Sequence, residues 1–374
     1  MNRVLISCGG TGGHLTPGIA LAEGLLARGH TCWLLISRKK VDARLVQKYP
    51  HLSFVKCPGA PFSLHPTRLL RFLIEQTRSL IWSARLIRRL RPDIVVGFGG
   101  FSSAGISVAA FACRLPFVLH ESNRIPGRAI RFLSRFSPTR VYLPKEVHLP
   151  NISSDRIRFY GNPVRKEIQC RPKAAARAAL GIEEEGKLLV VLGGSQGATA
   201  LNDWAEENFE ALAEKGISVY CVTGMRFGDE RVLEFSSENG SSAKARFVPF
   251  TDQVSELFSG ADLVLSRAGA GTIAELIRCR APSILIPYPY SADDHQQANA
   301  AYLEEQGGSL VVDQDSLGGL LGEVFELMED DSRRQTMRNR LEEIDSEDSL
   351  RLILDDLEAI GRSHNRAERR LKTV

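Results

Sequence analysis

The sequence lacks an apolar run of membrane length, closely spaced cysteines and a phosphate-loop motif. No window of about 18 residues is apolar without interruption, so any membrane contact is expected to be peripheral. The apolar stretch after Met1 is short and ends at Gly9, which predicts a buried strand and not a signal peptide. The seven cysteines form no Cys-x-x-Cys pair, which predicts reduced thiols in the cytoplasm and no zinc site. The missing G-K-[ST] motif argues against a Walker-type ATPase.

Charge is distributed unevenly along the chain. The formal net charge is +4, but residues 65–140 contain 13 arginines and 3 acids, a net +10 that leaves −6 for the rest. Such a basic sector predicts an anionic partner, namely phospholipid, pyrophosphate or nucleic acid. No recognised nucleic-acid-binding module accompanies it, so nucleic acid is not expected.

Short β-branched runs alternate with longer helical patterns in both halves of the chain. Strands are predicted at residues 4–6, 32–36, 94–98, 117–120, 188–192, 219–223, 263–266, 283–286 and 310–312, with helices over 18–28 and 68–90 in the first half. This alternation is typical of βαβ units around a parallel sheet.

The two halves are separated by a polar, alanine-rich stretch at residues 166–185, and each opens with a strand that runs into a glycine-rich loop. We therefore expect an α/β protein with two Rossmann-like doubly wound domains facing across a cleft, and ligands at the carboxyl ends of the strands. The predicted parts are an N-terminal domain (1–164), a C-terminal domain (165–345) and a C-terminal helix with a polar tail (346–374). Residues 361–374 are too polar to predict order.

The first glycine-rich loop, Gly9 to His14, holds more glycine than a simple strand-to-helix turn requires. Close approach of the backbone to a ligand phosphate, at the start of a helix beginning near Pro17, explains this composition. The loop is not a G-x-G-x-x-G motif, and Ser37 and Arg38 stand where an acid would hold a ribose, so NAD is disfavoured. His14 is a candidate general base, with loop capping and binding of an acceptor phosphate as open alternatives.

Two small-residue loops in the second half are candidate binding loops. In the first, Gly193 to Gly197, the Ser195 hydroxyl and backbone N–H groups suit a pyrophosphate. In the second, residues 266–275, Glu275 is suited to accept hydrogen bonds from both hydroxyls of a ribose. Taken alone, a glutamate in the first turns of a helix is explained by the helix dipole.

Amide side chains follow these loops along the chain. Gln296, Gln297 and Asn299 suit the hydroxyls of a sugar, although alone they are merely a polar helix start. Together with the glycine-rich loops they predict a nucleotide-sugar pocket.

An amphipathic helix is predicted within residues 68–91. Its apolar face is formed by Leu69, Leu73, Leu80, Ala84 and Ile87. On the opposite face, Arg71, Arg78 and Arg85 recur with Trp82 among them. A solvated arginine face is the ordinary explanation, yet a tryptophan among arginines favours contact with anionic lipid. The same theme continues in Arg124, Arg128, Arg131 and Arg135, with Phe132 and Phe136.

Seven ordered motifs within residues 1–345 resemble those of one family. They are GGTGGH, GFGGFSS, HESN, GNPVR, GGSQGA, AGAGTIAE and HQQANA. The chain resembles the MurG family, the bacterial peptidoglycan enzymes that add N-acetylglucosamine to undecaprenyl-pyrophosphoryl-N-acetylmuramoyl-pentapeptide. The resemblance implies the GT-B glycosyltransferase fold, UDP-N-acetylglucosamine as donor, inversion at the anomeric carbon and no bound cofactor. It also implies a peripheral position on the cytoplasmic face of the cell membrane, an anionic membrane surface as partner, and other cell-wall synthesis proteins as further partners.

The resemblance implies roles for individual residues. On the acceptor side, Thr11, Gly12 and Gly13 would approach the donor sugar and the acceptor pyrophosphate, His14 and Asn123 would lie at the reaction centre, and Glu121 is a second candidate base. The donor residues would be Arg165 and Ser195 at the diphosphate, Phe250 and Thr251 at the uracil, Ala270, Gly271 and Thr272 along the phosphates with Ile273 and Ala274 after them, Glu275 at the ribose, and Gln296 at the sugar, supported by Gln297 and Asn299. Arg71, Arg78, Trp82 and Arg85 would face the membrane, and no residue is assigned to a metal.

The chain departs from the usual family pattern at two places, both on the acceptor side. Ser122 stands where glutamine is more common, and Ala104-Gly105 stands where a Gly-Pro pair is usual. The acceptor site is therefore less firmly predicted than the donor site.

The predicted reaction is direct displacement of UDP by the 4-hydroxyl of the acceptor. It needs one base and stabilisation of the leaving UDP, which helix N-termini, Arg165 and Ser195 would supply without a metal. The D-x-D sequence Asp313 to Asp315 is predicted to be a surface turn. The alternatives are a UDP-N-acetylglucosamine 2-epimerase-like enzyme, which the Arg/Trp helix disfavours, a glycolipid-forming transferase with another acceptor, and a non-catalytic nucleotide-sugar sensor.

Overall fold

The computed structural model describes residues 1–9, 12–37, 46–59, 65–183, 185–194, 197–225, 228–236, 242–345 and 347–372. It divides into two compact units, Met1–Arg165 with Asp348–Val374, and Lys166–Glu347. Each unit is built on its own parallel or largely parallel sheet. The predicted α/β class and the second sheet that restarts near residue 188 are therefore confirmed.

The N-terminal unit contains a seven-stranded sheet in the order β3-β2-β1-β4-β5-β6-β7. All neighbouring strands pair in parallel. The strands are β1 (Arg3–Ser7), β2 (Thr31–Ile36), β3 (Phe54–Lys56), β4 (Ile94–Gly97), β5 (Phe117–His120), β6 (Arg140–Tyr142) and β7 (Ile157–Arg158). The helices are α1 (Gly12–Ala27), α2 (Pro66–Leu90), α3 (Gly100–Ala112) and α4 (Arg128–Leu133). The central strands are buried on both faces, as expected for strands covered by helices on both sides.

The C-terminal unit contains a second seven-stranded sheet in the order β10-β11-β9-β8-β12-β13-β14. Its strands are β8 (Lys187–Leu192), β9 (Ile217–Val222), β10 (Arg231–Ser236), β11 (Ser242–Val248), β12 (Leu263–Ser266), β13 (Ser283–Leu285) and β14 (Ser309–Val311). Its helices are α5 (Lys173–Leu180), α6 (Thr199–Glu207), α7 (Phe209–Glu214), α8 (Val254–Gly260), α9 (Ala270–Cys279), α10 (His295–Glu305), α11 (Leu320–Glu329) and α12 (Asp331–Ile344). Only the edge strand β10 pairs antiparallel among the described strands.

The last helix, α13 (Ser349–Lys372), belongs to the N-terminal unit. Its apolar residues Ile353, Leu354, Leu357 and Ile360 are buried in the same cluster as Val4 and Ile6 of β1. Burial of this stripe explains why the chain returns to the first sheet after the second unit is complete. The sequence analysis did not predict order from residue 361 onward, whereas α13 continues to Lys372.

Helix α1 starts earlier than predicted. The helix begins at Gly12 and contains Pro17 in its interior, whereas the sequence analysis placed Pro17 in the first turn. Proline is favoured in a first turn, and that preference misled the prediction here. His14 consequently lies in the first turn of the helix and not in the loop before it.

Helix α2 buries only part of the predicted face. Ile87 is buried and Ala84 packs against the core, as predicted, whereas Leu73 and Leu80 are exposed. Ser79 and Ser83 are buried in their place, and Trp82 also packs against the core of the unit. The reason is close packing on α3, since a Cβ built on Gly105 would lie 2.3 Å from Ser79 Oγ. Small side chains on both helices allow this approach and so select the serine face for burial. Trp82 therefore does not share an exposed face with Arg78 and Arg85, and the side chain of Leu69 lies outside the described residues.

No helix in the described parts of the chain has both the length and the apolar character needed to cross a bilayer.

The contact between α2 and α3 predicts that replacing Gly105 by alanine lowers the stability of the protein, whereas the same replacement at an uncrowded helical glycine raises it. Gly105→Ala should lower the free energy of unfolding by about 1–3 kcal/mol, because the added methyl group overpacks against Ser79. Gly322→Ala in α11 is the control, because a Cβ there meets nothing within 4 Å. This change should raise the free energy of unfolding by about 0.5–1 kcal/mol, because alanine loses less conformational freedom than glycine in a helix. Urea unfolding of both variants measures this, and equal effects would contradict the packing argument.

Candidate functional site

Two loops at the carboxyl ends of β1 and β4 are tied together in the N-terminal unit. Ser102 Oγ donates to Gly9 O at 2.6 Å, and Ser103 Oγ donates to Gly99 O at 2.6 Å and lies 3.2 Å from Ser7 O. These hydroxyls are buried, so the bonds are shielded from competing water. The two loops therefore form one unit on which the first turn of α1 rests.

His14 lies against the second of these loops. A Cβ built on Gly100 would lie 3.3 Å from His14 Nδ1, and one on Gly99 would lie 3.8 Å from Nε2. The φ angles of Gly99 and Gly100 are 87° and 70°, values that residues with a side chain rarely adopt. The glycine pair thus makes room for the imidazole, which is half-buried. Thr11, which was predicted beside it, lies outside the described residues.

Glu121 anchors the segment that follows β5. Its Oε1 accepts hydrogen bonds from Asn123 N at 2.9 Å and Asn123 Nδ2 at 3.0 Å, and its Oε2 accepts one from Gly127 N at 2.7 Å. Burial raises the pKa of this carboxyl group, while the N–H donors act in the opposite direction. Both oxygens are thus engaged in holding the loop and the amide of Asn123.

His120 is buried one residue before Glu121. Its Nε2 lies 3.3 Å from Gly161 O, and its ring packs 4.8 Å from the ring of Phe98. Burial lowers the pKa of His120 to about 4, the bond to Gly161 acts against this, and the nearby His14 lowers it further. His120 is therefore neutral at physiological pH.

Ser122 directly follows Glu121. Its Oγ donates to Asn162 Oδ1 at 2.9 Å and lies 3.5 Å from His120 Nδ1. The hydroxyl thereby joins the HESN segment to the GNPVR segment. Arg165, at the end of that segment, is buried and donates through Nη1 to the hydroxyl of Tyr49 at 3.2 Å, within the N-terminal unit.

In the C-terminal unit, a tight loop connects β8 to α6. Gly197 N donates to Gly194 O at 2.9 Å, and a Cβ on Gly193 would lie 2.3 Å from Ala198 N. Gly194 and Gly197 have positive φ values of 81° and 75°. This turn fits only glycine at these positions. Ser195, the predicted diphosphate ligand, lies outside the described residues.

The loop after β12 leads into α9, whose first turn contains Ala270, Gly271 and Thr272. Its N-cap Gly269 has no side chain, so the backbone N–H groups at the helix start are open to a ligand. Ile273 is buried and Ala274 and Glu275 are half-buried in the same helix. Asn299 is buried and donates through Nδ2 to Ala268 O at 3.1 Å, so it holds this loop instead of presenting its amide to solvent.

The other predicted donor residues lie in the loop after β11 and at the start of α10. Phe250 is exposed and Thr251 is half-buried, with Thr251 Oγ1 accepting from Gln253 N at 3.0 Å. Gln296 is half-buried and Gln297 is exposed at the start of α10. The side-chain oxygen of Gln296 accepts a hydrogen bond from Tyr288 N at 3.0 Å.

The geometry identifies residues that the sequence analysis missed. Ser102 and Ser103 hold the loops around His14, and His120 contacts Gly161, although only their motifs were noted in the sequence. The two serines after Phe101 were the one available signal, because small hydroxyl side chains close to glycine-rich loops often bond neighbouring backbone. Among the described residues, no group of three or more His, Cys, Asp or Glu side chains is placed to hold a metal ion.

Comparison with protein families matches both units. Residues 4–143 match the glycosyltransferase family 28 N-terminal domain, and residues 188–350 match the glycosyltransferase family 28 C-terminal domain. The chain belongs to glycosyltransferase family 28. The resemblance drawn from the seven motifs is therefore confirmed at the level of the family.

Relatives in this family are similar over nearly the whole chain. A UDP-N-acetylglucosamine–N-acetylmuramyl-(pentapeptide) pyrophosphoryl-undecaprenol N-acetylglucosamine transferase of Opitutus terrae is 53% identical over 97% of this chain and 96% of its own. A transferase of the same name from Desulforudis audaxviator is 36% identical over 96% and 98%. MurG of Acinetobacter baumannii has a similar structure, with a TM-score of 0.72 at 21% identity over 96% of this chain and 100% of its own. The calicheamicin glycosyltransferase CalG4 has a TM-score of 0.66 at 17% identity over 96% and 98%. The predicted glycosyltransferase fold class is thus confirmed.

The low pKa of His120 predicts a pH-dependent stability. A histidine whose folded pKa is lowered contributes fully above about 6.5, and this contribution is lost as the pH falls toward about 4. The loss over that window should be about 3 kcal/mol. His120→Asn does not titrate there, so the stability advantage of the wild type over this variant should narrow as the pH falls.

The measurement is urea unfolding of both proteins between about pH 4.5 and 7.5, the range in which histidine titrates. Contributions from Glu121 cancel in the difference because both proteins retain it. A difference that stays constant over this range would contradict the assignment of His120 as a buried neutral group.

Proposed function

We propose that this family 28 glycosyltransferase moves N-acetylglucosamine from UDP-N-acetylglucosamine to the 4-hydroxyl of undecaprenyl-pyrophosphoryl-N-acetylmuramoyl-pentapeptide. The observation that carries the proposal is the 53% identity to the Opitutus terrae transferase across nearly all of both chains. Family membership favours this transferase over the 2-epimerase and over a non-catalytic sensor. A glycolipid-forming transferase with another acceptor is the alternative that the acceptor experiment below addresses.

The donor is proposed to bind to the C-terminal unit. The start of α9 and the glycine loop after β8, with Ser195, would hold the diphosphate through backbone N–H groups and the helix dipole. Glu275 would bind the ribose, Phe250 and Thr251 the uracil, and Gln296 with Gln297 the sugar. Asn299 contributes indirectly in this proposal, because its amide holds the loop at Ala268.

The acceptor is proposed to bind to the N-terminal unit, where His14 is the candidate base. Its place in the first turn of α1, against Gly99 and Gly100, leaves the imidazole half-buried. An imidazole in that setting is suited to take the proton of an attacking hydroxyl. Since both oxygens of Glu121 accept N–H bonds, we assign Glu121 the role of orienting Asn123 and not that of the base.

A membrane surface is proposed as a partner of α2. Its exposed residues Leu70, Leu73, Ile74 and Ile81 alternate with the exposed Arg71, Arg78 and Arg85. Phe111 and Phe132 are also exposed, and both pack on Phe136, at 5.5 and 5.3 Å between ring centroids. Apolar side chains interleaved with arginine suit the interface of an anionic membrane, where a lipid-linked acceptor is found. A peripheral position at the cytoplasmic face of the membrane follows from this proposal.

The transfer activity is tested with labelled UDP-N-acetylglucosamine and the lipid-linked acceptor in detergent, following label into the butanol-extractable lipid. His14→Ala should lower kcat by about 10²–10⁴-fold, because the proton of the attacking hydroxyl loses its acceptor. Glu275→Ala should raise KM for the donor about 10- to 100-fold, because charge-assisted hydrogen bonds to the ribose are lost. Glu342→Ala is the surface control, since this side chain is exposed in an ion pair with Arg280.

Three outcomes would contradict parts of this proposal. Release of the 2-epimer of the nucleotide sugar without labelled lipid would contradict the transferase itself. Label transferred to diacylglycerol but not to the pyrophosphate-linked acceptor would contradict the acceptor. Full activity of His14→Ala would contradict the assignment of the base.

Membrane contact is tested by sedimentation with vesicles of phosphatidylglycerol and of phosphatidylcholine. The double variant Leu73→Gln/Ile81→Gln should bind anionic vesicles at least about tenfold more weakly, because two apolar side chains no longer enter the interface. Val232→Gln, an exposed valine on β10 of the C-terminal unit, is the matched control and should bind like wild type. Equal binding by the double variant and the control would contradict the proposed surface.

A further inference from the structure

Arg267 is a buried cation in the donor-binding unit that the sequence analysis assigned no role. It follows β12 directly, in the segment that leads into α9, and is only 8% exposed. Burying a guanidinium group is costly unless its N–H groups find acceptors. The identity of those acceptors therefore indicates what the residue does.

The acceptors of Arg267 lie on two other segments of the unit. Its Nη1 donates to Ile286 O at 3.1 Å and to Pro287 O at 3.2 Å, and its Nη2 donates to the side chain of Gln314. The guanidinium carbon also lies 5.5 Å from the ring centroid of Tyr288. All these partners are neutral, so the contacts fix the path of the backbone after β13 and do not form an ion pair.

The segment held by Arg267 in turn holds Gln296. Tyr288 N donates to Gln296 Oε1 at 3.0 Å, and Ser291 Oγ accepts from Gln296 N at 3.4 Å. Because the amide oxygen of Gln296 is occupied by Tyr288, its NH₂ group is the part left to donate to a ligand. A chain of direct contacts thus runs from Arg267 through Pro287 and Tyr288 to the amide proposed to bind the sugar.

We propose that Arg267 is a positioning residue for the donor sugar: it fixes the Pro287–Tyr288 segment so that Gln296 presents its amide N–H groups to a sugar hydroxyl. This inference rests on the proposed function, in which the donor is a nucleotide sugar. It differs from a direct role of Arg267 in binding the diphosphate, which would be the usual expectation for an arginine beside a helix N-terminus.

The test compares binding of UDP with binding of UDP-N-acetylglucosamine by calorimetry, without acceptor. Arg267→Lys keeps the positive charge. A single ammonium group, however, lacks the planar fork of donors with which the guanidinium reaches both carbonyls and Gln314. Kd for UDP-N-acetylglucosamine should rise about 5- to 10-fold, the value of a lost hydrogen bond, while Kd for UDP should change less than about twofold. Arg340→Lys, an exposed arginine paired with Glu343, is the matched control and should leave both values unchanged.

A double-variant cycle tests the route through Gln296. Gln296→Ala should weaken binding of UDP-N-acetylglucosamine by a similar factor, and adding Arg267→Lys to it should cause less than about a further twofold loss. Gln314→Ala removes one partner of Arg267 without changing the arginine, and should give a smaller loss of the same selectivity for the sugar. This second variant keeps the test decisive if Arg267→Lys does not fold.

Equal weakening of UDP and UDP-N-acetylglucosamine in Arg267→Lys would overturn the proposal in favour of direct contact with the diphosphate. Fully additive effects of Arg267→Lys and Gln296→Ala, or unchanged binding in Arg267→Lys and Gln314→Ala, would also overturn it. The binding measurements contain no acceptor, so they do not depend on the transfer assay. Failure of sugar transfer to the lipid would therefore contradict the proposed function without deciding the role of Arg267.

Discussion

Close approach of backbone to backbone at the carboxyl ends of the strands is the constraint on which both parts of the site depend. A Cβ on Gly9 would lie 2.2 Å from Ser37 N in the first sheet, and one on Gly193 would lie 2.3 Å from Ala198 N in the second. Only glycine permits these turns, and the turns in turn direct the N-termini of α1 and α6 toward the same edge of their sheets. The glycine-rich loops are therefore required by the fold itself, and the proposed binding of phosphate would use the helix N-termini that the fold places there.

Two buried polar side chains of the N-terminal unit, Glu121 and His120, bond to its backbone. Glu121 holds Asn123 and Gly127, and His120 is kept neutral by burial. His14, resting on Gly99 and Gly100, is the half-buried group at the helix start. Because both oxygens of Glu121 accept N–H bonds, the arrangement favours the proposed single displacement, with no carboxylate used as nucleophile.

The fold was predicted well from the sequence, because the alternation of strands and helices depends on local patterns. The strands near residues 94 and 117 and the restart at 188 were recognisable from β-branched runs and were confirmed. The buried face of α2 was predicted correctly at Ile87 and wrongly at Leu73 and Leu80, because Ser79 is buried by its fit to Gly105 and not by hydrophobicity. The roles of Ser102 and Arg267 were missed for a related reason: their partners are backbone carbonyls, which leave no trace in the sequence.

The stereochemistry of the product tests the central claim, a single displacement on the donor sugar, most directly. The measurement is the NMR coupling constant between the anomeric proton of the transferred sugar and its neighbour on C2. It is made after transfer from the α-linked UDP-N-acetylglucosamine to the lipid-linked acceptor. The account predicts a β linkage, because attack by the acceptor hydroxyl opposite the leaving UDP inverts the anomeric carbon once. An α linkage would require a second displacement or a different pathway and would contradict the account.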